Sequence, residues 1–141
     1  MTARRLSVEA ILTAVVAALK ADATVMALAS GGIYNHVPQG TPCPYVEVSC
    51  PSHRRQDTCG RWGAETLIDV KVVSQALGDQ EAARLLTACV SAVDAQKPTL
   101  VGHSALGITY DASDRFRDVV NAIVTRYHVA TFRVWTEQSS T

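Results

Sequence analysis

The sequence predicts an α+β domain: two main helices packed on a sheet of four to five strands, mostly antiparallel or mixed, in the order α-β-β-β-α-β-β. Three observations carry this expectation. Two stretches repeat apolar residues every three or four positions, several others alternate with a period of two, and glycine and proline clusters separate them. The chain has 141 residues, the length of one domain, so we expect a single domain over 1–141 with an ordered core from about 7 to 137 and a frayed tail at 138–141.

The first helix is signalled by Ser7 as a cap and by Val8, Ile11, Leu12, Val15 and Leu19 on one face. Arg4 and Arg5 precede an apolar stretch, as in a secretory signal. However, Ser7, Glu9, Thr13, Lys20 and Asp22 interrupt it at helical intervals, which favours an amphipathic helix. Asp22 can cap a short continuation carrying Val25, Met26 and Leu28, and Gly31-Gly32 stops it. Ile33 to Val37 is a short apolar piece, followed by a loop or sheet edge with Pro38, Gly40, Pro42 and Pro44.

Tyr45 to Ser49 reads as a strand, and Cys50 to Gly60 as a polar, basic connection. From Arg61 to Ser74 the period is two. Thr66, Ile68, Val70 and Val72 point one way, and Glu65, Leu67, Asp69 and Lys71 the other. Asp79 is placed to cap a second main helix with the stripe Ala82, Leu85, Leu86, Cys89, Val90 and Val93, ended by Pro98. A strand lies within Leu100 to Tyr110, Asp111 to Asp118 reads as a charged loop, and the last strand runs from about Val124 to Trp135.

Composition narrows the function. Apolar residues make up 48% and charged residues 18%, and the formal net charge is zero. A phosphate-neutralising surface needs surplus Lys and Arg, so the simplest nucleic-acid binder is excluded. The weak self-repulsion that follows permits association of copies. No apolar run is long enough to span a bilayer.

Catalytic motifs are weak. Gly102-His103-Ser104-Ala105-Leu106-Gly107 misses the spacing of a nucleophile elbow, and Gly31-Gly32 lacks the Lys-Ser/Thr of a phosphate loop. Asp111, Asp114 and Asp118 could supply paired carboxylates, but Arg115 and Arg117 among them read better as a solvated mixed-charge loop. His128 shares a strand face with Phe132 and Val134, the setting of a buried or rim histidine. The four cysteines, at 43, 50, 59 and 89, form no C-x-x-C pair, so free thiols are the expectation. A small zinc- or thiol-dependent enzyme built from Cys43, Cys50, Cys59 and His53 stands as the reading from a different class.

Several segments together resemble the tail-completion, or tail-terminator, family of tailed bacteriophages. These are Leu19-Lys20-Ala21-Asp22, then Leu28 and Gly31-Gly32-Ile33-Tyr34 leading to Val37-Pro38, then Pro42-Cys43-Pro44-Tyr45-Val46. The long strand Glu65 to Val72 follows before an Ala- and Leu-rich helix, and Tyr127 to Val134 resembles the family's closing strand. The similarity covers about Val8 to Glu137, with the cysteines at 43, 50 and 59 and the apolar stretch Phe116 to Asn121 as departures.

The resemblance implies a virion structural protein, not an enzyme, with no catalytic residue, metal or cofactor. It implies a ring, usually a hexamer, at the head-proximal end of the tail tube, assembled in the host cytoplasm. The ring stops tube polymerisation and offers a docking surface to the head connector. Its partners would be copies of itself, the tail tube protein and the connector or stopper protein, with DNA only passing through the channel. Gene-transfer-agent particles use the same part. A head-completion or stopper ring protein is the nearest alternative. The residues expected to touch partners are His53, Arg54, Arg55 and Asp57, the strand face of Glu65, Asp69 and Lys71, and Asp114, Arg115 and Arg117.

Overall fold

Helix α1 (Val8–Ala21) and the short α2 (Ala23–Leu28) form where the three-four spacing places them. The computed structural model describes residues 3–100 and 102–139. Ile11, Val15 and Leu19 of α1 are fully buried, with Leu12 and Val16 half-buried beside them. Asp22 caps α2, accepting a hydrogen bond from the Val25 amide at 3.0 Å. Gly31 and Gly32 lie beyond the helix end at Leu28. Gly32 takes a φ of +99°, and a Cβ on Gly31 would stand 1.9 Å from the Pro42 carbonyl oxygen.

The sheet has five strands: β1 (Ile33–Tyr34), β2 (Tyr45–Arg55), β3 (Arg61–Ser74), β4 (Ser104–Val120) and β5 (Ile123–Ser139), with helix α3 (Gln80–Val93) between β3 and β4. Its spatial order is β1-β2-β3-β5-β4. The β1–β2 pair is parallel and all the others are antiparallel, so the sheet is mixed and the α+β expectation stands. Both long helices cover one face. That face buries Val46 and Val48 of β2, Ile68, Val70 and Val72 of β3, Ile108 of β4, and Ala130, Phe132 and Val134 of β5 against Leu85, Cys89 and Val93 of α3 and the buried stripe of α1.

The structure corrects four expectations. First, Cys50 to Gly60 is not all connection. Strand β2 continues to Arg55, and a register shift between Ser49 and Ser52 absorbs Pro51, which cannot donate to the ladder. Second, Asp111 to Asp118 is not a loop but the middle of β4: Asp111 sits in a register shift, and Ala112 to Asp118 pair residue by residue with Thr131 through Thr125. This stretch is solvent-exposed on both faces, so no apolar alternation marks it. Third, the tail does not fray at 138. Strand β5 pairs as far as Ser139, and Gln138 is buried, its amide donating to the Ala3 carbonyl at 2.8 Å; residues 140 and 141 lie outside the described residues. Fourth, Ser7 and Asp79 occupy N-cap positions without capping. The Ser7 hydroxyl pairs with Thr136 Oγ1 at 2.9 Å, and Asp79 turns to the sheet.

The β4–β5 connection is a two-residue turn, Asn121-Ala122, with φ of 53° and 64°. Both residues are left-handed, as a type I′ hairpin turn requires, and Ala122 carries a Cβ where glycine is favoured. Left-handed backbone costs an L-residue roughly 1–2 kcal/mol, part of which glycine returns through its freer unfolded chain. Ala122→Gly is therefore expected to stabilise the protein by about 0.5–1 kcal/mol, read as a higher denaturant midpoint at unchanged slope.

Candidate assembly surfaces

The sequence-predicted contact residues fall on three separate surfaces. His53, Arg54, Arg55 and Asp57 gather where β2 turns into β3. There, Arg4, Arg5, His53, Arg55, Trp62 and His103 line a cleft of about 300 Å³. Asp57 holds its cationic side together. It accepts from Arg4, from Arg55 at 2.5 Å and from the Gly63 amide at 3.1 Å. Burial pushes the Asp57 carboxyl up, but these donors outweigh it and the net shift is downward. Arg4 also lies over the Trp62 ring, 5.4 Å from its centre. His53 shares a hydrogen bond with Thr66 Oγ1 at 2.8 Å. Burial, and then the neighbouring His103 and Arg4, hold its pKa below the ordinary imidazole value, which favours its neutral form. Arg54 is exposed beside the cleft, across from Glu65 in the ladder.

Glu65, Asp69 and Lys71 stand on the sheet face that carries no helix. Each is matched by a neighbouring strand. Arg133 of β5 lies 3.1 Å from Glu65 and 3.7 Å from Asp111, Thr131 donates to Asp69 at 2.7 Å, and Lys71 sits 3.2 Å from Glu47 and 5.6 Å from the centre of the Tyr127 ring. The face is thus a cross-strand ladder with its charges largely neutralised inside the chain. Glu47, Tyr127 and Arg133, which complete it, are not among the contact residues expected from the sequence, though its alternation places them on strand faces. Their signal was available: they alternate with buried residues on strands that flank β3.

Asp114, Arg115 and Arg117 lie on β4. Arg115 reaches Asp79 at 3.1 Å, where Arg126 at 3.3 Å and the buried His128 at 3.2 Å converge on the same carboxylate. The His128 hydrogen bond is the main cause of the lowered Asp79 pKa. Burial opposes it, and the Arg126 and Arg115 charges reinforce it. Asp79 therefore ties the start of α3 to β4 and β5. His128 is a satisfied rim histidine, as its strand position suggested.

The rest of β4 is an exposed edge. Beyond Ile108 every residue of the strand is exposed, including Phe116 at 55%, Val119 at 57% and Val120 at 59%, with Ile123 across the turn at 52%. Phe116 stacks on Tyr127 at 5.0 Å, which stiffens the hairpin without covering it. A long edge strand with open backbone groups and apolar side chains on both faces is a template for another chain.

The cysteines do not assemble a site. Cys89 is sealed in the core of α3, where burial raises its pKa to about 12. Cys43 and Cys50 are half-buried with raised values, and Cys59 is exposed on the β2–β3 turn. Among the described residues no group of three metal-ligating side chains converges.

The description Tail completion protein gp17 matches residues 13–137. The chain belongs to this family. A solved chain described as part of the virion of a native gene transfer agent (GTA) particle superposes with a TM-score of 0.81 at 25% identity, covering 92% of this chain and 96% of that one. No curated protein matches. The tail completion protein described here is accordingly a virion structural protein of a phage-type tail.

The Asp79 cluster gives a pH dependence of definite sign. A carboxyl with a depressed folded pKa adds stability above its unfolded pKa, near 3.8, and loses it as pH falls through the lower folded value. Unfolding followed from pH 6 to pH 2 is expected to show a decline in stability below about pH 4 that is shallower in Asp79→Asn than in the parent chain.

Proposed function

We propose that this tail completion protein closes into a ring of six copies, as the family resemblance implies, at the head-proximal end of a tail tube, where it stops tube growth and meets the head connector. The observation that carries this reading is the β4 edge. It is a 17-residue strand whose outer backbone groups and apolar side chains face solvent in the single chain. Burying such a strand against another subunit removes unpaired backbone donors and apolar surface from water together, which is the driving force of an obligate interface. A second support is charge. With no net charge and a largely neutralised helix-free face, copies do not repel one another at the separations of a closed ring. A closed ring also leaves two unlike rims, and unlike partners on the two sides, tube and connector, require that.

The basic cleft around His53, Arg54 and Arg55 is the surface we assign to contact along the ring axis, with tube or connector. Arg54 and Arg55 are exposed and stand at the end of β2, away from the β4 edge.

Two measurements test this. Added to polymerising tube protein, the purified chain is expected to give tubes that stop growing, with a ring density at one end in electron micrographs; tubes of unrestricted length with bare ends contradict it. The double variant Arg54→Glu/Arg55→Glu is expected to keep the circular dichroism of the parent and lose head joining, and infectious particles carrying both changes contradict the axial assignment.

A further inference from the structure

Among the described residues, two apolar surfaces lie open at opposite edges of the sheet. One is the tip of the β4–β5 hairpin. Phe116, Asp118 and Val120 of β4 share a face with Tyr127, Thr125 and Ile123 of β5, because the register pairs them directly. The other is a groove of about 820 Å³ between the outer flank of α1 and the β1 edge, lined by Val8, Leu12, Val16, Ala17, Ile33 and Tyr34 among others. In the order β1-β2-β3-β5-β4 the first strand and the last cannot meet within one chain. Neither surface can therefore cover the other within one chain.

The two surfaces match in length and charge. The hairpin face from Phe116 to Val120 spans four strand steps, roughly 14 Å. The groove from Val8 to Lys20 spans twelve helical steps, roughly 18 Å. Asp118 stands between Phe116 and Val120, and Lys20 closes one end of the groove. Among the described residues neither has an ion-pair partner. One surface is thus an apolar ridge with one carboxylate; the other is an apolar trough with Glu9 near the start of α1 and the Lys20 ammonium near its end, so only the Lys20 end suits Asp118.

We propose that the β4–β5 hairpin tip of one copy docks in the α1–β1 groove of the next, with Val120 and Ile123 against Leu12, Val16 and Ala17, and Asp118 beside Lys20. The inference rests on the ring reading and specifies its contact. Because ridge and trough differ, the contact is head-to-tail, and each copy uses both surfaces once. Such a contact closes a ring when its rotation is right and otherwise continues as a filament. A two-fold dimer through either surface alone would leave the other exposed.

Directed crosslinking tests this. In a Cys59→Ser background, two variants carry Ala17→Cys or Val120→Cys, both at exposed positions. With a short bis-maleimide, rings assembled from a mixture of the two are expected to yield covalent dimers. Rings from either variant alone, or from the background, are expected to yield none. Closed rings of the correct mass without a mixed dimer overturn the docking contact and leave the ring reading standing. Dimers from a single variant overturn the head-to-tail geometry. A parent chain that never closes in the presence of tube ends overturns the ring reading itself. As a second arm, Lys20→Glu and Asp118→Lys are each expected to lower ring yield about tenfold and to restore it when combined, with unchanged thermal unfolding of the free chain. Failure of the combined variant to recover overturns the charge pairing.

Discussion

The β3–β5 ladder is the constraint on which everything else in the molecule depends. It runs without a break from Arg61 opposite Ser139 to Ser74 opposite Arg126. Its parity puts Ile68, Val70, Val72, Ala130, Phe132 and Val134 under the helices and sends Leu67, Asp69, Lys71, Arg133 and Trp135 to the other face. A slip of one residue would drive Arg133 and Trp135 into the core and expose Phe132, at a cost no compensating contact offsets. With the register held, β5 presents its far side to β4, and β4 has nowhere to go but the edge. The exposed edge strand is therefore a consequence of the central pairing.

Electrostatics follow the same geometry. On the helix-free face the ladder brings Glu65 to Arg133 and Lys71 to Glu47, pairs that are partly exposed and add little to stability. Their effect is to leave a polar face with little net field. On the helix side, the Asp79 carboxylate gathers His128, Arg126 and Arg115, which joins the start of α3 to the last two strands. The strongest unneutralised features then lie at the ends of the sheet: the arginine-bearing end of β2, and the hairpin tip with its valines and isoleucine. The ring proposed above would need this separation of surfaces, with neighbours on one and unlike proteins on the others.

Much of the fold was legible because its elements bury one face. The apolar stripe of α1 at Ile11, Val15 and Leu19, that of α3 at Leu85, Cys89 and Val93, and the alternation of β3 and β5 each write burial directly into spacing. Strand β4 was illegible for the converse reason. From Asp111 to Asp118 nothing is buried, so the residues answer to solvent on both sides and Asp, Ser and Arg look like a loop. What holds them in a strand is pairing with β5, a long-range fact absent from local pattern. The caps misled in a similar way: Ser7 and Asp79 sit where caps belong, but Thr136 and His128, more than forty residues away in sequence, take their side chains. Of the candidate contact residues, the cluster at His53 to Asp57 was readable as a basic run, while its enclosure by Arg4, Trp62 and His103 was not.

The central claim is that the outer edge of β4 is an interface and not a solvated border. Amide hydrogen exchange measured on the free chain and on assembled particles addresses it directly. The account predicts that amides from 109 to 120 slow by about tenfold or more on assembly while those of β3, already protected by two neighbours, change little. Equal exchange along β4 in the two states would contradict it.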